Sequence, residues 1–185
     1  MFIKLAHKYW NELLLQGDYI IDATAGNGFD TLFLAKLVLP LGGVLAIDIQ
    51  KQALMNTEKR LSDHLTVEEM GKVFLFEMSH ATFPKKAYEH PIKLIVYNLG
   101  YLPRSDKVIK TYASSTLQSL ENALKLIPVG GMISVMCYPG HSEGLEEEEM
   151  VVCWAKQIPP NYATIFYHIQ LNKPTSPRLL IIKKI

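Results

Sequence analysis

Asp22-Ala23-Thr24-Ala25-Gly26-Asn27-Gly28 separates the short apolar run Tyr19-Ile20-Ile21 from a longer apolar segment over residues 29–39. A strand-length apolar run, two glycines and then a helix-length segment read as strand, tight turn and helix. Glycine at positions 26 and 28 removes the Cβ where backbone must turn sharply or let a ligand approach. The next apolar run, Val44-Leu45-Ala46-Ile47-Asp48-Ile49, carries an acid twenty residues after Gly28. Strand, glycine turn, helix, second strand and terminal acid together form the nucleotide-binding half of a Rossmann-like α/β fold.

Working outward, Phe2, Leu5, Ala6, Tyr9, Trp10, Leu13 and Leu14 recur at helical spacing, which predicts an amphipathic helix over residues 2–15 covering one edge of the core. Further helices are predicted at 29–39, 51–65, 112–126 and 143–157, the last with a Glu-rich start that suits the positive end of a helix dipole. Strands are predicted at 19–23, 44–49, 72–77, 92–98, 132–138, 162–171 and 179–185. Alternation of the two implies right-handed crossovers and a mostly parallel sheet with helices on both faces. The last two runs, joined by Asn172-Lys173-Pro174-Thr175-Ser176-Pro177, add antiparallel edge strands. The expectation is an α/β chain with a single seven-stranded, mostly parallel sheet, an antiparallel C-terminal strand, and one domain over residues 1–185.

Composition narrows the class of protein. No run of about eighteen apolar residues occurs and the first residues lack a signal-peptide pattern, so a soluble, cytoplasmic protein is expected. A formal charge of +1 gives no global attraction to polyanions, so a nucleic-acid partner must be met by a local patch. Cys137 and Cys153 provide neither a disulfide framework nor a zinc-ligand spacing; both are expected as buried free thiols, and no metal is expected.

Gly26-Asn27-Gly28-Phe29-Asp30-Thr31 supplies only the first two glycines of a dinucleotide fingerprint, with Thr31 in the third place. This favours S-adenosylmethionine, which has no pyrophosphate and needs room for a zwitterionic methionine tail. Asp22 can meet the tail ammonium, backbone donors of the turn its carboxylate, and Asp48 both ribose hydroxyls. Asp30 and Thr31 can contact the ligand or stabilise the start of their helix. Ser79 and His80 follow the third strand, where a serine hydrogen bond or a stacked histidine can serve an adenine. Competing readings are an NAD-binding oxidoreductase, which would lack the third glycine and an obvious Tyr–Lys hydride-transfer pair, and a nucleotide-binding module without catalysis.

Asn98-Leu99-Gly100-Tyr101 follows the fourth strand, at the carboxyl edge where open α/β sheets place reactive sites. It resembles the Asn-Pro-Pro-Tyr signature of amine methyltransferases, with Leu99-Gly100 in place of the prolines. In that signature the Asn carbonyl accepts hydrogen bonds from the target nitrogen and the aromatic residue packs on the substrate. Methyl transfer from a sulfonium asks mainly for alignment and desolvation. A primary amine must first lose a proton, which Asp106, Tyr138 or His141 can receive. Arg104, Lys107 and Lys110 form a local positive group suited to phosphates.

Taken in order, residues 22–35, Asp48-Ile49-Gln50, Ser79-His80, Asn98-Leu99-Gly100-Tyr101-Leu102-Pro103, Asp106-Lys107 and Tyr138-Pro139-Gly140-His141 resemble a specific family. It is the small bacterial class I methyltransferases once described as rRNA methylases and now understood as tRNA 5-aminomethyl-2-thiouridine methyltransferases. Arg104-Ser105 stands where its members usually carry glycines. The resemblance implies S-adenosylmethionine as cofactor, held by Asp22, Gly26, Asn27, Gly28, Asp30, Thr31, Asp48, Gln50, Ser79, His80 and Asn98. It implies methylation of the aminomethyl nitrogen on the wobble uridine, with Asn98, Tyr101, Asp106, Tyr138 and His141 on the acceptor side. The implied partner is the tRNA anticodon stem-loop, its base splayed and stacked on Tyr101 or Tyr138. A homodimer would extend the basic surface along the anticodon arm. The same Asn-centred site would also admit rRNA or a small amine.

Overall fold

The computed structural model describes residues 2–100, 113–140 and 142–185. Its elements are α1 (Phe2–Leu13), β1 (Tyr19–Asp22), α2 (Phe29–Val38), β2 (Gly43–Asp48), α3 (Lys51–Ser62), α4 (Val67–Met70), β3 (Val73–Glu77), β4 (Ile92–Asn98), α5 (Ala113–Leu126), β5 (Met132–Cys137), α6 (Ser142–Lys156), β6 (Ala163–His168) and β7 (Arg178–Lys184). The strands form one sheet in the order β3-β2-β1-β4-β5-β7-β6. From β3 across to β5 every pairing is parallel, while β7 is antiparallel to both β5 and β6.

Period-two side-chain alternation explains why the inner strands are apolar throughout. Ile21, Leu45, Ile95, Tyr97, Ile133 and Val135 face one core, which Leu120 and Ala123 of α5 and Val151 and Ala155 of α6 close. Their neighbours Ile20, Val44, Leu94, Val96 and Ile181 face the other, closed by Phe2, Ala6 and Trp10 of α1 and Leu34, Ala35 and Val38 of α2. The chain runs outward from β1 to β2 and β3, then returns to β4 beside β1. The carboxyl ends of β1 and β4 therefore flank the topological switch point, where open α/β sheets bind ligands.

Several expectations need correction. Among the described strands β7 is the antiparallel one, as expected of the C-terminal strand, but it lies one place in from the edge, which β6 occupies in parallel with β5. Helix α3 stops at Ser62 rather than at residue 65, and a reciprocal capping box of Thr66 and Glu69 starts the separate α4. A 3₁₀ turn at Lys85–Tyr88 was not foreseen either. Cys137 is buried, but Cys153 is exposed on the outer side of α6. Of the glutamates near the start of α6, expected there for the helix dipole, Glu147 and Glu148 are also buried, and Glu148 accepts hydrogen bonds from Tyr167 and Arg178. Among the described residues no helix is long and apolar enough to cross a membrane.

Candidate functional site

The turn after β1 is shaped by two left-handed glycines, Gly26 at φ 55° and Gly28 at φ 74°. Gly28 serves packing as well as turning. A Cβ there would lie 2.8 Å from Thr57 Cα on α3, so the missing side chain admits a helix as well as leaving backbone bare. Helix α3 also holds the turn from behind. Thr57 Oγ1 donates to the Gly26 carbonyl at 3.0 Å, Arg60 Nε to the Asn27 carbonyl at 2.7 Å, and Asn56 Nδ2 to Asn27 Oδ1 at 2.9 Å. The Asn27 side chain thus anchors the loop to α3. Helix α2 begins at Gly28 without a side-chain cap, which leaves first-turn N–H groups able to receive an anion such as a carboxylate.

Two acids stand at the ends of adjacent strands. Asp48 accepts from the N–H groups of Gly26 and Gln50, each at 2.9 Å. Burial raises its carboxyl above the usual range, with those backbone donors opposing. Each of its oxygens retains acceptor capacity for a ribose hydroxyl. Gln50 contributes its backbone here, starting α3. Ile49, read from the sequence as a strand residue with no ligand role, is 61% exposed immediately after Asp48, and an apolar side chain left in water there can pack against a purine.

Asp22 is only 1% exposed. It accepts from Thr31 Oγ1 at 2.6 Å and from the Thr24 N–H at 3.2 Å. Burial pushes its carboxyl up to about 7, with the Thr31 hydroxyl pulling the other way. Thr31 therefore ties α2 to β1.

Asn98, at the end of β4, is bound on two sides. Its backbone N–H donates to Thr24 Oγ1 at 2.7 Å, and its side-chain Nδ2 donates to Asp30 Oδ2 at 2.9 Å. An ionised carboxylate only accepts, so the amide must present its nitrogen to Asp30 and its carbonyl Oδ1 elsewhere. No described residue donates to that oxygen. Gly100 adopts φ 126°, a value closed to proline, so the loop here cannot have the backbone of a Pro-Pro signature. Tyr138, just past β5, is 40% exposed, and burial of the rest raises its phenol above the ordinary value. Tyr101, Arg104, Asp106, Lys107, Lys110 and His141 lie outside the described residues.

Ser79 is exposed and its hydroxyl accepts from the Ala81 N–H at 3.2 Å. His80 departs from the stacking role expected of it. Its ring is 9% exposed and set edge-on to Tyr97 at 6.0 Å, and desolvation lowers it to about 4. Its carbonyl accepts from Ser119 of α5 at 2.6 Å, which draws the segment inward. Two polar contacts of the site, Thr24 to the Asn98 N–H and His7 of α1 to Asp30 Oδ1 at 2.8 Å, were missed by sequence reasoning. Thr24 sits inside the quoted turn, whereas His7 had no signal, being one polar residue on an amphipathic helix. Among the described residues no cluster of His, Cys, Asp and Glu can hold a metal ion.

The strand order, with β7 inserted between β5 and β6, differs from the 3-2-1-4-5-6 order of dinucleotide-binding domains. Together with the glycine turn and the acid at the switch point, it defines a Rossmann-like class I methyltransferase fold. Residues 44–184 match the family described as "Putative rRNA methylase", and the chain belongs to that family. The tRNA (mnm(5)s(2)U34)-methyltransferase, chloroplastic, of Arabidopsis thaliana is 35% identical over 187 residues, spanning 98% of this chain and 68% of that protein. A solved structure from Clostridium thermocellum, described as a "putative rRNA-methylase", superposes with a TM-score of 0.93 at 36% identity, covering 99% of this chain and 97% of that one. A Streptococcus mutans protein solved in complex with S-adenosylhomocysteine gives 0.87 at 32% identity, with the same coverage of 99% and 97%.

Proposed function

We propose that the protein is a tRNA N-methyltransferase acting on the aminomethyl nitrogen of 5-aminomethyl-2-thiouridine at the wobble position. The observation that carries this reading is the Asn98 amide, whose nitrogen is occupied by Asp30 and whose carbonyl is left to accept. A nitrogen nucleophile is aligned when acceptors hold its N–H groups and leave its lone pair directed at the electrophile. The Arabidopsis relative's tRNA substrate supports the same class of acceptor.

The switch-point residues fit an adenosyl ligand with a zwitterionic tail, as the uncapped start of α2 beside two carboxylates requires. S-adenosylmethionine, when bound, supplies a methyl group on a sulfonium leaving group, so no protein nucleophile is needed. Asp48 would hold the ribose, Asp22 the ammonium and the Gly26-Asn27-Gly28 turn with α2 the carboxylate, while Asp30 and Thr31 brace that site and Ser79 lies near its adenine end. Asn98 orients the amine. Tyr138, raised by burial, stays protonated at neutral pH and acts as a hydrogen-bonding or stacking partner rather than a base. Asp106 and His141 are then the candidates for the proton, and Tyr101 for packing on the uridine. The anticodon stem-loop is the proposed partner, with Arg104, Lys107 and Lys110 meeting phosphates. The working unit is a single domain over residues 1–185, in the cytoplasm, paired as a homodimer along the arm.

Nucleoside mass spectrometry after incubation with undermethylated tRNA tests the reading. Conversion of aminomethyl-thiouridine to its methylated form is expected. An unchanged nucleoside with protein that binds S-adenosylhomocysteine sinks it, and parallel transfer to rRNA or small amines would redirect it.

A further inference from the structure

We propose that His7 on α1 is a positioning residue for Asn98, acting through Asp30; the inference rests on the role given to Asn98 above. His7 Nε2 lies 2.8 Å from Asp30 Oδ1, and Asn98 Nδ2 lies 2.9 Å from Asp30 Oδ2. One carboxylate thus spans two elements, with one oxygen for each. Because the carboxylate only accepts, His7 must carry its proton on Nε2 and Asn98 must turn its amide nitrogen inward.

The histidine is itself fixed. Its ring stacks on Phe33 of α2 with centroids 3.8 Å apart and planes 13° apart, and Trp10 packs at 5.0 Å. Phe33 and Asp30 are neighbours on the same helix face, so the stack that holds the ring also aims Nε2 at the carboxylate. The side chains of His7 and Asp30 are 28% and 13% exposed. Water therefore competes weakly for the pair.

Removing the His7 donor leaves Asp30 with Asn98 as its one side-chain hydrogen-bond partner among the described residues, and frees its carboxylate to rotate. Asn98 can then rotate its amide, and an amide nitrogen facing an amine sets donor against donor. Loss of alignment at the reacting centre slows turnover without weakening cofactor binding, and a misplacement of about 1 Å can cost about 100-fold.

Two substitutions separate this from a packing role. His7→Phe keeps the ring stack and removes the donor, whereas His7→Gln places an amide N–H near the position of Nε2. His7→Phe is expected to lower kcat about 10- to 100-fold with the Kd for S-adenosylhomocysteine unchanged, and His7→Gln to recover most of that loss. In nitrogen-15 spectra, the Asn98 side-chain amide pair, assigned with Asn98→Ala, should shift in His7→Phe and stay in place in His7→Gln. Wild-type kcat and an unmoved amide pair in His7→Phe, or equal losses in both variants, overturn the inference. Should wild-type protein leave aminomethyl-thiouridine unmodified, the proposed function fails, and the amide pair alone decides the His7 assignment.

Discussion

Thr31 Oγ1 donates to the buried carboxylate of Asp22 at 2.6 Å, joining the first turn of α2 to the end of β1. The bond is strongest when Asp22 is ionised. Thr31→Val preserves shape and removes the donor, so it should destabilise the fold by about 1.5–3 kcal/mol at pH 8. The loss should shrink at pH 5, where the carboxyl carries its proton. Urea denaturation at the two pH values checks both parts.

Asp22 also ties stability to pH. Burial holds its carboxyl at about 7 in the folded chain, against about 4 when unfolded. The folded state therefore binds the proton more tightly, giving a contribution present below about pH 4 and lost as pH rises through about 7, on the order of 4 kcal/mol. Asp22→Asn should remove that slope from the stability profile. An ammonium seated against Asp22 would favour the carboxylate, so S-adenosylhomocysteine binding near pH 6.5 should release a proton. Calorimetry in buffers of different ionisation enthalpy reads this, and no release would place the ammonium elsewhere.

Asn98→Ala should lower kcat by about 100- to 1,000-fold, the usual cost of a polar group aimed at the reacting centre. The Kd for S-adenosylhomocysteine should stay the same. Asn98→Asp should fare no better, since it sets a second carboxylate against Asp30. Single-turnover methylation beside calorimetry distinguishes lost alignment from lost binding.

Gly28→Ala meets two obstacles, the left-handed backbone and the approach to Thr57. A destabilisation of about 2–4 kcal/mol follows from left-handed strain and overpacking together. Thr57→Ala should rescue little of it, because the nearest atom is the Thr57 Cα. A thermal melt of the double variant checks this.

The parts legible in the sequence were those that repeat locally. The apolar runs of β1, β2, β4 and β5 were placed nearly to the residue because each is buried on both faces. Asp22, Asp48 and Asn98 were legible as strand-end residues because each closes such a run. Pairing order leaves no trace in periodicity, so β7 was read as an edge strand although it pairs on both sides. His7 was invisible for a related reason: its contact with Asp30 spans 23 residues and depends on how α1 lies against α2. His80 reads as a loop histidine until α5 is laid over it. The Thr66–Glu69 capping box was a local signal that went unread.

The place of β7 has a consequence for synthesis. Among the described residues strand β6 joins the sheet through β7 alone, yet it leaves the ribosome first. A nascent chain extruded as far as His168 holds a strand with nowhere to dock, beside the bare margin of β5, whose backbone from Met132 to Cys137 pairs with β7 in the finished sheet. Such an open margin is what chaperones grip and neighbouring chains invade. The hairpin must then wedge in as a keystone, and until it does so the sheet keeps an open edge.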